Sequence, residues 1–232
     1  MKFALLAVLF FLTISETATA QSVTVMSWNI RYNNPGDGLN AWPHRKDWVA
    51  GIISENKIDI AGFQEVLVGQ FEDLKQRLPE MDGYGVGRDD GKVSGEFSPV
   101  FFRRDRFELL EKSTFWLSPT PDVTGSKGWD AALPRIASWL KLKDRKSGSV
   151  LFVVNTHFDH KGSQARAESA ALIVSRLRSQ FSEHPVVLTG DFNTTPGTPP
   201  YQTLIDADSA GLVVLNDTFQ HSVFEPEGPN ST

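Results

Sequence analysis

Two β-sheets packed face to face and covered by helices, an α/β arrangement, are what this sequence predicts, on three observations. Helical stretches stand towards both ends of the chain, and a long run of strand-like segments lies between them. No repeat, heptad or Pro/Gly linker divides the run into two domains. The 232 residues suffice for one domain with a sizeable core, and 40% hydrophobic against 22% charged residues is ordinary for a folded protein.

Taken in order, the first strand is expected over 23–31, where Val23, Val25 and Ser27 alternate with Met26 and Trp28. A helix follows from about Pro43, proline suiting a first helical turn, with Trp48, Ile52 and Ile53 on its apolar face. Residues 59–66 read as a short buried strand. Phe71, Leu74 and Leu78 mark a second helix that stops at Pro79. Strands are then expected over 83–88, 99–103, 107–117, 135–143 and 150–157, with the polar stretch 144–148 as a hairpin turn between the last two. Ile173, Leu177 and Phe181 recur at helical spacing in a helix over 163–181, which leads to a buried strand at 186–188.

The N-terminus reads as an export signal. Lys2 supplies a positive start, residues 3–14 are almost wholly apolar, and Ala18-Thr19-Ala20 is a small-residue cleavage pattern. A signal peptide over 1–20 is therefore expected ahead of a domain over 21–232, secreted or periplasmic. The apolar run falls short of the roughly 20 residues a membrane span needs. The chain has no Cys, which removes thiol nucleophiles and zinc–thiolate sites. Its net charge of -5 speaks against a protein that grips nucleic acid through a basic face, although a nuclease with a locally positive cleft stays open.

Polar residues gather where strands end. Asn29 closes the first, Glu65 the second, Asn155, His157, Asp159 and His160 the run after Val150, and Asp191 with Asn193 the last. A rigid sheet can hold such side chains in register. The set holds carboxylates, amides and imidazole, with no Gly-x-Ser-x-Gly elbow for a serine nucleophile. A hard divalent cation with few protein carboxylates, completed by water and phosphate, suits these groups. Glu65 can hold the metal, His157 and an Arg the phosphate, and Asp191 can orient or activate water. Each residue also has a plain reading. Asn29 can cap a turn, Glu65 can pair with a Lys, the histidines can be satisfied where they stand, and Asp191 and Asn193 can form Asx turns. All of these would have to hold together.

In order, Ser27-Trp28-Asn29-Ile30-Arg31, Gln64-Glu65, Asn155-Thr156-His157-Phe158-Asp159-His160 and Gly190-Asp191-Phe192-Asn193-Thr194 resemble the endonuclease/exonuclease/phosphatase superfamily. Gly87-Arg88-Asp89-Asp90-Gly91, the stretch around Glu96 and Pro134-Arg135-Ile136-Ala137 resemble a bacterial branch of it. The resemblance implies a four-layer α/β/β/α sandwich of two mainly antiparallel sheets. It implies an Mg2+ or Mn2+ cofactor held by Glu65 with Asn29, and a catalytic set of His157, Asp191, Asn193 and Arg135. Asp159, His160 and Glu96 would contribute to substrate binding. The reaction it implies is hydrolysis of a phosphoester by in-line attack of an activated water. A small molecule or lipid headgroup is favoured over nucleic acid as substrate, the chain being a monomer that does not insert into membranes. A secreted nuclease is the other enzymatic reading.

Superfamily members carry a late Asp-His pair, and none follows Asn193 here, where the only late histidine is His221. The expectation is therefore a domain lacking its final strands. A catalytically inactive remnant that binds phosphorylated ligands is the competing outcome.

Overall fold

The computed structural model describes residues 22–206 and 215–222, so the expected signal peptide at 1–20 and any strand beyond residue 222 lie outside the described residues. Strands β1 (Val25–Asn29), β2 (Ile60–Gln64), β3 (Met81–Tyr84) and β4 (Val100–Arg103) form one sheet in the order β1-β2-β4-β3. Strands β5 (Phe107–Trp116), β6 (Ile136–Asp144), β7 (Val150–His157) and β8 (Val186–Asp191) form the other, in chain order. Both sheets are mixed. Four of the six pairings are antiparallel, while β1–β2 and β7–β8 are parallel.

Three apolar cores define the four layers. One joins Ala61, Phe63 and Phe101 of the first sheet to Val49 and Ile53 of α1 (Trp42–Glu55) and to Phe71 and Leu74 of α2 (Val68–Arg77). A second lies between the sheets, where Ile60, Val100 and Phe102 meet Leu140, Leu142 and Val153. The third joins Ala137, Phe152 and Val154 to Ile173, Val174 and Leu177 of α3 (Ser163–Gln180) and Leu204 of α4 (Pro199–Ile205). β1 shows the alternation read from its sequence: Val25 packs towards the inter-sheet core and Met26 and Trp28 towards the helices.

Three expectations need correction. In α1 the buried face is Trp42, Val49, Ala50 and Ile53. Trp48 lies one residue round from that stripe, is 60% exposed, and stands edge-on to Trp28. The strand expected over 83–88 keeps only Gly83 and Tyr84. Beyond them the chain folds on itself through Gly87 N to Lys92 O, Arg88 N to Glu96 O and Asp89 N to Ser94 O. No element was expected after the strand at 186–188, where the structure adds helix α4 with Pro199-Pro200 as its first turn.

Asn155 bolts the two sheets together. Its Nδ2 donates to Phe63 O (2.7 Å) and Pro99 O (2.9 Å), and its Oδ1 accepts from Gln64 Nε2 (2.7 Å) and Thr189 Oγ1 (3.1 Å). Gly62 makes room for this cluster, since a Cβ there would lie 2.2 Å from Thr189 Oγ1 and 2.8 Å from Asn155 Oδ1. Gly62→Ala is expected to destabilise the fold by about 1–3 kcal/mol through overpacking. Urea unfolding measures this, and an unchanged midpoint would show that the inter-sheet polar cluster yields freely.

Candidate active site

Parallel pairing brings the carboxyl ends of β1 and β2 together, with Asn29 opposite Gln64, and those of β7 and β8, with His157 opposite Asp191. All four ends lie on one side of the sandwich, bridged by Asn29. Its Nδ2 stands 2.9 Å from Glu65 Oε1 and 2.9 Å from Asp191 Oδ2, one carboxylate from each sheet. Its Oδ1 accepts from Arg31 N at 3.0 Å, so the amide holds the carboxylates through its N–H groups and points its oxygen away. Tyr32 N donates to Glu65 Oε2 (3.1 Å). Glu65 and Asn193 have φ of 61° and 46°. Such left-handed backbone at non-glycine residues costs of order 1–3 kcal/mol and gathers at functional sites.

Asn193 connects the remaining polar groups. Its backbone N donates to Asp191 Oδ1 (3.1 Å), and its Nδ2 donates to Phe158 O (3.0 Å) and faces His157 Nε2 at 3.1 Å. Because Phe158 O can only accept, the amide nitrogen is fixed, and His157 Nε2 must accept from it. The imidazole proton then sits on Nδ1, which points at Glu96 Oε2, 3.8 Å away. Burial first, and the Arg135 guanidinium second, push His157 down to about 4, against the pull of Asp191 and Glu65, so the ring is neutral at pH 7.

Behind His157 lies a buried charge cluster. Arg88 Nη1 donates to Glu96 Oε2 at 2.8 Å, and Trp116 Nε1 clamps the Arg88 backbone oxygen at 2.6 Å. Arg135 Nε pairs with Asp159 Oδ2 (3.4 Å), and its Nη2 lies 2.9 Å from His160 Nδ1. Burial and the neighbouring Arg88 lower the Arg135 pKa, with Glu96 and Asp159 opposing them. Burial alone would raise the Asp159 carboxyl. The backbone N–H groups of Gly162 and Lys161, with Arg135, instead hold it far below the usual carboxylate range. Asp159 is thus buried beneath the site, fixing Arg135 and the loop that carries His160, and Arg166 Nη1 ties the same loop through Asp159 O (3.0 Å).

The structure therefore brings Asn29, Glu65, Glu96, His157, Asp191 and Asn193 into one constellation, with buried Arg135 and Asp159 on its inner side and His160 exposed beside Arg135. Two contributors were not singled out from sequence. Arg88 lay inside the Gly87-Arg88-Asp89-Asp90-Gly91 string, whose position between two glycines was its only signal. Gln70 Oε1 accepts from Asn33 N and Leu67 N, fastening the loop after β1 to α2. Nothing local marks it.

A model of the endonuclease/exonuclease/phosphatase family matches residues 26–230. The chain belongs to this family. Among solved structures, the family member from Bacteroides vulgatus is 51% identical with a TM-score of 0.75, covering 77% of this chain and 68% of that one. A mannosyl-6-phosphatase from Bacteroides thetaiotaomicron is 42% identical with a TM-score of 0.75, covering 78% and 69%. Among curated relatives, the CCR4-Not complex 3'-5'-exoribonuclease subunit Ccr4 of Mycosarcoma maydis is 23% identical over 251 residues, 85% of this chain and 37% of that one. The chain spans 31 to 59% of the length of the first three curated relatives it matches. The family's α/β/β/α sandwich is the fold described above, and its solved members share it.

Proposed function

We propose that this chain is an exported phosphatase that hydrolyses phosphomonoesters of small polar molecules with the help of a divalent cation, Mg2+ or Mn2+. One observation carries the reading: Glu65 and Asp191 meet at one amide group, 2.9 Å each from Asn29 Nδ2. Among the described residues neither has a Lys or Arg partner. Two like charges brought together beside a polar cleft call for a cation. Mg2+ is commonly held by one or two carboxylates with water and substrate phosphate, so a donor set of two carboxylates fits it. Glu65 and Asp191 would hold the ion, and Asn29 would join them only with its amide turned to present oxygen. When bound, the ion neutralises charge on the phosphoryl oxygens.

The chain's own groups supply the rest. Asp191, fixed through Oδ1 by Asn193 N, orients water and takes its proton. His157 and Asn193 border the same space, where His157 would give a phosphoryl oxygen a hydrogen bond from Nε2 once the ring gains a second proton and Asn193 Nδ2 yields that position, with Glu96 beside Nδ1 to support the charged ring. Arg88 and Arg135 add positive potential from behind. The preference for a small substrate draws on the acidic chain and on the likeness to the mannosyl-6-phosphatase. Export draws on the N-terminal sequence pattern, and among the described residues no helix is long and apolar enough to cross a membrane.

The test is release of phosphate from mannose 6-phosphate by the purified chain, with and without EDTA. Activity should vanish with chelator, return with Mg2+ or Mn2+, and fall about 100-fold or more in Glu65→Gln. Chelator-insensitive turnover would sink the metal assignment. Cleavage of RNA or DNA without phosphomonoester turnover would transfer the assignment to a nuclease. Equal background in wild type and variant would favour a phosphate-binding remnant.

A further inference from the structure

Beside Asn193 lies an open pocket of about 500 Å³. Its walls are the first turn of α3, with Ser163, Arg166 and Ala167, and the stretch from Thr194 to Pro200 that leads into α4. This size falls within the ~300–1,000 Å³ typical of small-molecule sites. We infer that this pocket is the subsite for the leaving group of the phosphoester, and that the group it takes is polyhydroxylated, such as a sugar, rather than a nucleobase. The inference rests on the phosphatase reading and adds the place and chemistry of the group that departs.

Position comes first. Asn193 is shared, since its amide faces His157 and its backbone N binds Asp191, while the residue also forms part of the pocket wall. A phosphoryl group seated beside His157, with its ion at Glu65 and Asp191, therefore lies next to Asn193, and the pocket walled by that same residue can receive one ester substituent.

The lining gives the chemistry. Thr198 Oγ1 donates to Thr195 O (2.7 Å), so in its pair with Thr194 Oγ1 it must accept, which leaves the lone pairs of Thr194 Oγ1 available. The side-chain hydroxyls of Ser163 and Thr195 make no hydrogen bond among the described residues and can both give and accept one. Arg166 contributes a guanidinium held in place by Asp159 O (3.0 Å). Hydroxyl groups on a ligand match such mixed donors and acceptors. A base would need a face to stack on, and among the described residues no aromatic side chain lines the pocket.

The experiment compares kcat/KM for mannose 6-phosphate, adenosine 5'-monophosphate and para-nitrophenyl phosphate in the wild-type chain and in Thr195→Leu and Ala167→Phe. These two variants narrow the pocket from opposite walls, and circular dichroism melts confirm that each is folded. The ratio of sugar phosphate to aryl phosphate should fall about 10-fold or more in at least one folded variant. Ratios within twofold of wild type in both would overturn the inference while leaving the phosphatase reading intact. A selective loss of the nucleotide would overturn the sugar assignment. A wild-type chain that releases phosphate from none of the three esters sinks the phosphatase reading and the subsite with it.

Discussion

Asp191→Asn is expected to lower phosphomonoester turnover by about 10²–10⁴-fold, the usual contribution of a positioned acid–base group, while leaving the fold at least as stable. The substitution keeps the shape and an oxygen to accept from Asn193 N, which now stands 3.1 Å from Oδ1, but sets its amide nitrogen against the Asn29 Nδ2 donor, a cost to be set against the relief of charge. It removes the carboxylate that would take a proton from water. It also removes one of two negative charges gathered at Asn29 Nδ2, and therefore relieves repulsion with Glu65 in the metal-free chain. The two readouts should move in opposite directions. Turnover collapses under saturating Mg2+, and the melting temperature without metal holds or rises. Turnover within threefold of wild type would remove Asp191 from the chemistry, and a lower melting temperature would mean that its charge is structural.

The parts of this fold legible from sequence were those whose signal is local. The strand expected at 150–157 has those bounds in the structure, and the helix expected at 163–181 ends one residue earlier, because the first is a short apolar run after a polar turn and the second repeats a helical period. The site residues were visible because the ladder of β1–β2 and β7–β8 ends at the same level, so the last polar residue of each strand falls into one cleft. What stayed hidden depends on contacts between distant segments. Asn155 reads as one more strand-end polar residue, yet it is buried and binds Phe63 O, 92 residues away. Arg88 enters the site only because the loop after β3 folds back and Trp116, 28 residues on, clamps it. Trp48 reads as core by composition, but helix geometry places it outside the buried stripe.

Arg106 is the extreme case of such long-range dependence, and Arg106→Met is expected to cost about 3–5 kcal/mol of stability. The residue sits at the end of the sandwich opposite the candidate site, just before β5, and is buried with Asp59 and Asp144. Its Nη1 donates to Asp59 Oδ2, and its Nη2 to Asp144 Oδ2 (3.3 Å) and Ser22 O (2.8 Å). Asp59 Oδ2 also accepts from Thr24 N (2.8 Å), so one guanidinium gathers the starts of β1, β2 and β5 and the end of β6. Methionine fills similar volume but leaves two carboxylates buried without their cation, which is far more costly than never having buried the set. Burial alone would raise the Asp144 carboxyl, and the N–H groups of Lys146 and Ser147 together with Arg106 hold it below its ordinary value. A carboxyl depressed in this way contributes stability above the unfolded pKa of about 3.9 and loses it as pH falls through the folded value. Without Arg106 the folded value rises, so acid unfolding should begin at higher pH than in wild type. Urea titrations from pH 7 to pH 3, followed by tryptophan fluorescence, measure both effects. A loss below 1 kcal/mol at pH 7 with an unmoved acid midpoint would show that the two carboxylates are not held by this arginine. Turnover per folded molecule should stay unchanged, because the strands that carry Asn29, Glu65, His157 and Asp191 present them at the other end.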